Sequence, residues 1–427
     1  MKFSLLHPRE QLITIMERIY DFEMTTTSGG NLSILDENGD IWITPAGIDK
    51  GGLTPQDIIC VKPDGTIIGP HKPSSEYPFH RAIYAKRPDL RGIVHAHPPA
   101  LVSFSIARKI PNTHIIPQAH AVCGEVGYAP YRLPGSMELG TVIADTFAQG
   151  FDVVLLENHG VVTGAESLLT AFQRFETLDF CARTLIHAQK LGKARSLTEE
   201  EIEMSLKRGK RLSTFKPVYH TSVERELRRK IVNVVHRAYD HHLMTSTGGT
   251  VSARVDENSF LITPTGVDRL YLDIDDVVLV RDGQRERRKK PSRATRLHQK
   301  IYETHPAIGA VITAQSPGAT AFSITGQPFD TRTIPESYIV LRDIPFVPYG
   351  EQLGSGKKIA KRLSAEVPVL LLQNDAILTT GATLTQAFDR LEVADFSARA
   401  VIDTLAIGKL VPIGEDEVKE LVAKFLS

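Results

Sequence analysis

The chain has no surplus of either charge. Its 427 residues carry 50 lysines and arginines against 50 aspartates and glutamates. That balance excludes a polyanion such as nucleic acid as the main partner. Cysteine is scarce, with only Cys60, Cys123 and Cys181. None stands in a Cys-x-x-Cys pair, and an odd number cannot close a complete set of disulfides, so a reducing, cytoplasmic setting is expected. Long apolar runs are missing too. The N-terminus meets charge at Arg9 and Glu10, and neither a signal peptide nor a membrane-spanning segment is expected. The remaining composition, 42% hydrophobic and 23% charged, is that of a globular protein, in a chain too long for one core and suited to two domains of about 200 residues. The one basic run, residues 285–290, has no interleaved aromatics and reads as a solvated loop rather than an anion-binding patch.

What the chain does have is repetition. Tyr20-Asp21 followed by Thr27-Ser28-Gly29-Gly30 returns as Tyr239-Asp240 followed by Ser246-Thr247-Gly248-Gly249. Ile43-Thr44-Pro45-Ala46-Gly47 returns as Ile262-Thr263-Pro264-Thr265-Gly266. The offset drifts slowly, from 219 at Tyr20 to 216 at Asp179, as expected for short loop deletions between two whole domains. We place these at 1–213 and 214–427, joined by a charged connection around 191–217.

Each copy opens with a helix, striped by Leu12, Met16 and Ile19 in the first and by Leu227, Ile231 and Val235 in the second. Strands at Leu32–Leu35 and Ile41–Ile43 flank the turn Asp36-Glu37-Asn38-Gly39. A helix is expected from near Ser75 to Lys86, with a serine hydroxyl at its cap. Ile93-Val94 starts a buried strand that ends in His-Ala-His. A helix at 137–149, a buried strand at 152–156 and a long helix at 168–185 complete the copy. Strands and helices mixed in this way imply an α/β fold.

The two copies differ where chemistry is expected. His95 and His97 have the spacing that puts two strand side chains on one face. His159 follows an apolar strand, and Gly160 beside it would allow a tight turn and open space near the ring. Three histidines suit Zn²⁺ or another divalent ion, with a position left for substrate. In the second copy these positions are Thr313, Gln315 and Asp375, and Glu76 becomes Ala294. The joint loss argues against a packing role for the four. Glu76 is either a ligand or a general base acting beside a metal-polarised carbonyl. His80 persists as His298 and therefore reads as structural. Asn31, Ala46, Gly47, Ser74 and Ser75 supply amides and hydroxyls near a helix start, where an anion is favoured.

Taken in order, Asn31 to Ser33, Thr44 to Gly47, Ser74 to His80, His95 to Pro98 and Asn158 to Gly160 resemble the class II aldolase/adducin family. The resemblance covers residues 8–190 strongly, and residues 225–405 fit the same frame without its site residues. It implies two tandem α/β/α domains, each with a central mixed, mainly antiparallel sheet, and Zn²⁺ held by His95, His97 and His159. It further implies Glu76 as acid/base, and a substrate phosphate at Asn31, Ala46, Gly47, Ser74 and Ser75. Family members that epimerise pentulose phosphates carry Asp where this chain has Glu76, which favours the aldolase branch. One departure stands out: family aldolases supply a tyrosine after an Ile-Pro-x-x-His segment, and here Ile110 to His114 is followed by Ile115. His120 is a substitute acid by proximity in sequence.

The reading that follows is a Zn²⁺-dependent lyase cleaving a small ketose phosphate through an enediolate. Its alternatives are a sugar-phosphate epimerase, a 3-oxo sugar-acid phosphate decarboxylase, or an adducin-like binding or assembly protein. The expected partners are a small phosphorylated sugar and a second copy of the chain. Because the family forms cyclic tetramers, two chains of two domains would make a pseudo-tetrameric homodimer.

Overall fold

The computed structural model describes residues 3–207 and 211–426. Residues 208–210, within the expected connection, lie outside the described residues. The chain divides into two compact units. One runs up to Thr113 and includes Ala119–Arg183; the other is His114–Gln118 together with the chain from Thr184 onward.

In the first unit eight strands are β1 (Asn31–Leu35), β2 (Ile41–Ile43), β3 (Ile59–Val61), β4 (Ile67–Ile68), β5 (Gly92–Ala96), β6 (Val126–Ala129), β7 (Val153–Leu156) and β8 (Val161–Ala165). They form one sheet in the order β4-β3-β2-β1-β5-β8-β7-β6. Only β6 and β7 pair in parallel, so the sheet is mixed and mainly antiparallel, as expected. The β1–β2 turn forms where expected: Asp36 accepts from the amides of Asn38 and Asp40 at 2.9 and 3.0 Å, and Gly39 supplies the positive φ of 83° that side chains resist. Next to it, β1 pairs with β5 so that Asn31 faces His95 and Ser33 faces Ile93. This register sets the site.

Helices cover both faces of the sheet. These are α1 (Pro8–Asp21), α2 (Tyr77–Lys86), α3 (Pro99–Ile106), α4 (Pro117–Cys123), α5 (Met137–Ala148) and α6 (Leu168–Leu191). One face is closed by α2 and α5, where Phe79, Ile83, Ile143 and Phe147 pack on Ile43, Ile93 and Val162. Full burial of such side chains contributes about 1.5–3 kcal/mol each. On the other face α1 meets β1 and β2, and Thr163 on β8 donates to the Ala171 carbonyl of α6. The start of α2 differs from expectation. The helix begins at Tyr77 with Glu76 as its N-cap residue and no side-chain cap bond. Ser75 does not cap it, and the Glu76 carboxylate is turned toward the histidines instead.

The second unit repeats the plan. Its strands are β9 (Thr214–Phe215), β10 (Thr250–Arg254), β11 (Ser259–Ile262), β12 (Val278–Arg281), β13 (Gln284–Glu286), β14 (Ala310–Ala314), β15 (Phe346–Val347), β16 (Val369–Leu372) and β17 (Ala376–Gly381). The sheet order is β15-β16-β17-β14-β10-β11-β12-β13-β9. The β10–β14 register sets Thr250 opposite Thr313, the counterpart of Asn31 opposite His95. The segment expected as a plain connection contains α7 (Glu199–Leu206), started by a capping box of Thr198 and Glu201, as well as β9. Thr-x-x-Glu before Ile202 was the readable signal for that helix.

The basic run 285–290 is not simply a solvated loop. Arg285 and Glu286 lie in β13, paired in parallel with β9, and Glu286 is buried. Its carboxylate accepts from Arg228 of α8 (Ser222–Asp240) at 3.0 Å. Arg228 also donates to Glu224 at 2.7 Å and to the Val277 carbonyl. One guanidinium thus holds two buried carboxylates. Glu286 keeps Lys289 at 2.9 Å and the Leu279 amide, and Glu224 keeps His220 at 2.8 Å. Arg228→Met should therefore remove only their shared partner, at a cost of about 1–3 kcal/mol, read as a lower midpoint for unfolding of the second unit in denaturant melts.

Candidate active site

Three histidines converge at one end of the first sheet. His95 is the fourth residue of β5, between Asn31 on β1 and Val162 on β8. His97 follows just past the strand end. His159 sits in the β7–β8 turn, where Leu156 donates to the Gly160 carbonyl at 2.8 Å and His159 to the Leu156 carbonyl at 3.2 Å. The turn's left-handed residue is Asn158, with φ of 52°, a conformation that asparagine tolerates. Gly160 completes the tight turn that was expected. A Cβ there would stand 2.6 Å from the Ala96 carbonyl oxygen and 2.6 Å from His97 Cδ2. Its absence also lets the turn close on the β5 end.

One ligand nitrogen from each of the three rings lies within 4.8 Å of the others. His95 is fully buried, and its Nδ1 is 2.9 Å from the Val161 carbonyl oxygen. A carbonyl only accepts, so Nδ1 carries a proton and Nε2 is the nitrogen turned toward the other rings, as a ligand to a metal would be. That Nε2 lies 3.1 Å from His97 Nε2 and 3.2 Å from Glu76 Oε2. Glu76 Oε1 lies 3.4 Å from His159 Nε2 and is buried without a hydrogen-bond partner. Burial, with His95 alongside, pushes His97 down to about 3 and His159 down to about 4. Burial works to raise the Glu76 carboxyl, but the facing His95, His159 and Asn31 reverse this and hold it below the usual carboxylate range. Ring nitrogens and a carboxylate thus converge on one buried point. Such a donor set fits a divalent metal ion.

Asn31 lies beside this cluster, its side chain spanning two partners. Nδ2 donates to Glu76 Oε2 at 2.8 Å, and Oδ1 faces His80 Nε2 at 2.5 Å. His80 Nδ1 is 2.7 Å from Ser33 Oγ, which is 2.8 Å from the Tyr84 hydroxyl. Burial holds His80 down to about 3, so the ring is neutral. The contact of His80 with the site went unread in the sequence, because its repetition as His298 pointed to packing alone. Among the other expected anion contacts, Ala46 donates its amide to the Lys72 carbonyl and Ser74 to the Thr44 carbonyl. Ser74 Oγ accepts from the Glu76 amide at 3.3 Å. Gly47 and Ser75 are exposed, and a Cβ on Gly47 would meet nothing within 4 Å. His120 lies on α4, with Nδ1 3.3 Å from Thr113 Oγ1; it is not one of the converging imidazoles.

The second unit keeps the scaffold and none of the cluster. Gln315 accepts from the Gly249 amide at 3.1 Å, and burial raises the Asp375 carboxyl to about 6. Asn374, with φ of 50°, donates to the Ile115 carbonyl at 2.8 Å. Ile115, standing where the family resemblance places a tyrosine, is fully buried.

Comparison with known proteins agrees with this division. The model of the class II aldolase and adducin N-terminal domain matches residues 10–186 and again 229–402. The chain belongs to that family, and two regions of it do so in tandem. The 5-deoxy-D-ribulose 1-phosphate aldolase of Bacillus thuringiensis is 33% identical over 202 residues, which is 46% of this chain and 92% of the relative. The 3-oxo-tetronate 4-phosphate decarboxylase of Haemophilus influenzae is 31% identical over 209 residues, 48% of this chain and 99% of the relative. The L-fuculose phosphate aldolase of Methanococcus maripaludis is 34% identical over 173 residues, covering 40% and 93%. A solved structure titled L-fuculose 1-phosphate aldolase is 33% identical, covers 46% of this chain and 93% of its own, and aligns with a TM-score of 0.43.

The close approach at Gly160 can be tested directly. Gly160→Ala should push the β7–β8 turn away from Ala96 and His97, cost about 1–3 kcal/mol, and weaken divalent-ion binding. Thermal melts with and without added ion would show both effects.

Proposed function

We propose that this family member is a Zn²⁺-dependent class II aldolase-type lyase that cleaves a small ketose phosphate. The observation that carries the reading is the convergence of His95, His97, His159 and an ionised, buried Glu76, in a site whose duplicate lacks all four. His95, His97 and His159 would hold the ion. When bound, Zn²⁺ supplies positive charge beside the substrate's oxygens and so favours electron density moving onto them.

The remaining chemistry falls to the chain's own groups. In a retro-aldol cleavage the C–C bond breaks, the hydroxyl of the departing carbon gives up its proton to form an aldehyde, and the carbon next to the carbonyl takes one up. Glu76 is placed to move a proton in this exchange, because its buried Oε1 has a free acceptor position beside the histidines. The substrate phosphate would sit at the exposed edge formed by Gly47 and Ser75, backed by Ala46 and Ser74. Relatives named as aldolases of 5-deoxy-D-ribulose 1-phosphate and L-fuculose phosphate support a ketose 1-phosphate.

One observation favours a second reading, decarboxylation of a 3-oxo sugar-acid phosphate. Ile115 is apolar and buried, so it cannot handle a proton at a departing aldehyde. Loss of CO₂ from a 3-oxo acid needs no such group. The decarboxylase from Haemophilus influenzae aligns over 99% of its length.

The purified chain should bind one Zn²⁺ in the first unit, and His95→Ala should abolish it in metal analysis. Glu76→Gln should keep the ion and lose at least about 100-fold in kcat. The zinc-loaded protein should be offered L-fuculose 1-phosphate, 5-deoxy-D-ribulose 1-phosphate and 3-oxo-tetronate 4-phosphate. Aldehyde release supports the lyase, and CO₂ alone replaces it with the decarboxylase. A well-folded protein inert toward all three would sink both readings.

A further inference from the structure

The Asn31 side chain joins Glu76 to a buried chain of neutral groups, and the hydrogen-bond directions along that chain are determined. An ionised carboxylate only accepts, so Asn31 must turn Nδ2 toward Glu76 Oε2, 2.8 Å away. That leaves Oδ1 facing His80 Nε2 at 2.5 Å, and Nε2 must therefore carry the His80 proton. Nδ1 is then an acceptor and takes the Ser33 hydroxyl proton across 2.7 Å. The Tyr84 hydroxyl completes the chain, 2.8 Å from Ser33 Oγ and 3.1 Å from the Ser33 carbonyl. Every member is at least nine-tenths buried. The directions are thus fixed from Glu76 to Ser33, and the single Tyr84 proton goes to the Ser33 hydroxyl oxygen or the Ser33 carbonyl.

The duplicate provides a control within the same molecule. Ser252 Oγ lies 2.7 Å from His298 Nδ1 and 2.7 Å from the Tyr302 hydroxyl. The serine, histidine and tyrosine are thus arranged as in the first unit. At the other end the chain stops. Thr250 replaces Asn31, and its hydroxyl turns to Ser292 at 2.7 Å. Ala294 replaces Glu76. His298 Nε2 is left fully buried with no hydrogen-bond partner. Asparagine and acid are absent together, while the part of the network that packs the sheet against its helix stays.

We propose that Asn31 and His80 are positioning residues that hold the Glu76 carboxylate in one orientation beside the three histidines, with Asn31 acting on Glu76 rather than on the substrate's phosphate. The inference rests on Glu76 being the proton-moving group proposed above. A carboxylate on a helix-start residue has free rotamers, and a misplacement of about 1 Å at a reacting group can cost about 100-fold in rate.

The test uses the full-length zinc-loaded protein and whichever of the three sugar phosphates it turns over fastest. Asn31→Thr installs the residue that the second unit already accommodates. It should lower kcat by about 100-fold, with KM for the sugar phosphate within threefold of the parent and the melting temperature within about 3 °C. His80→Leu should reproduce the kcat loss, and His80→Gln, whose amide N–H can reach Asn31 Oδ1, should regain at least tenfold of it. Asn31→Thr with kcat within threefold of the parent overturns the proposal. So does a KM rise above tenfold with kcat retained, which would assign Asn31 to the substrate. Failure of the underlying reading looks different: Glu76→Gln would then turn over like the parent, whatever Asn31→Thr does.

Discussion

The pairing of β1 with β5 is the constraint on which the site depends. It sets Asn31 opposite His95 and Ser33 opposite Ile93, so the strand carrying the histidine lies beside the one carrying the asparagine. A shift of one residue would send His95 to the opposite face of the sheet and dissolve the cluster. The ladder itself is made by backbone groups and is indifferent to the side chains hung on it. The second unit shows this, since Thr250 stands opposite Thr313 in the same register. The fold and the chemistry are therefore separable, and the chemistry can vanish from one copy without loss of the scaffold.

The first unit accepts an electrostatic arrangement that an ordinary core avoids. His95 Nε2 faces His97 Nε2 at 3.1 Å and Glu76 Oε2 at 3.2 Å, so three polar atoms crowd one buried space. Buried polar groups are costly unless satisfied, and a divalent cation would satisfy all of these at once. Burial lowers the basicity of His97 and His159, which favours the unprotonated rings that a cation needs. The surroundings hold the donors ready for an ion: Val161 fixes the His95 tautomer, and Gly160 lets the turn reach the strand end.

Most of the frame was legible in the sequence because local patterns dictated it. The α1 stripe, the β1–β2 turn and the buried β5 and β7 strands followed from periodicity and turn chemistry, and the histidine cluster from strand spacing together with its absence in the duplicate. Two features were not read correctly, each for a physical reason. The Thr198–Glu201 capping box was hidden in a run that looked like a charged connection. Glu286 looked like part of a solvated basic run, but it is buried against Arg228, 58 residues away in sequence. The close approach of Gly160 to Ala96 and His97 depends on another strand, so the sequence offered only its turn. His80 shows the limit of the duplicate as a guide. Its persistence as His298 argued for packing alone, yet only in the first unit does its second nitrogen find a partner.

That nitrogen also bears on what the shared network costs where the acid is absent. A buried imidazole nitrogen without a partner costs about 1–3 kcal/mol, so His298 is not what packing alone would select. Its other nitrogen still bonds Ser252 and, through it, Tyr302, which makes its replacement costly as well. The second unit thus holds the first unit's network without its last two members, and its anchored end is kept by the bonds of His298 Nδ1, Ser252 and Tyr302 despite the unpaired Nε2. Those three groups serve the fold in both units, whereas Asn31 and Glu76 occur only beside the histidines.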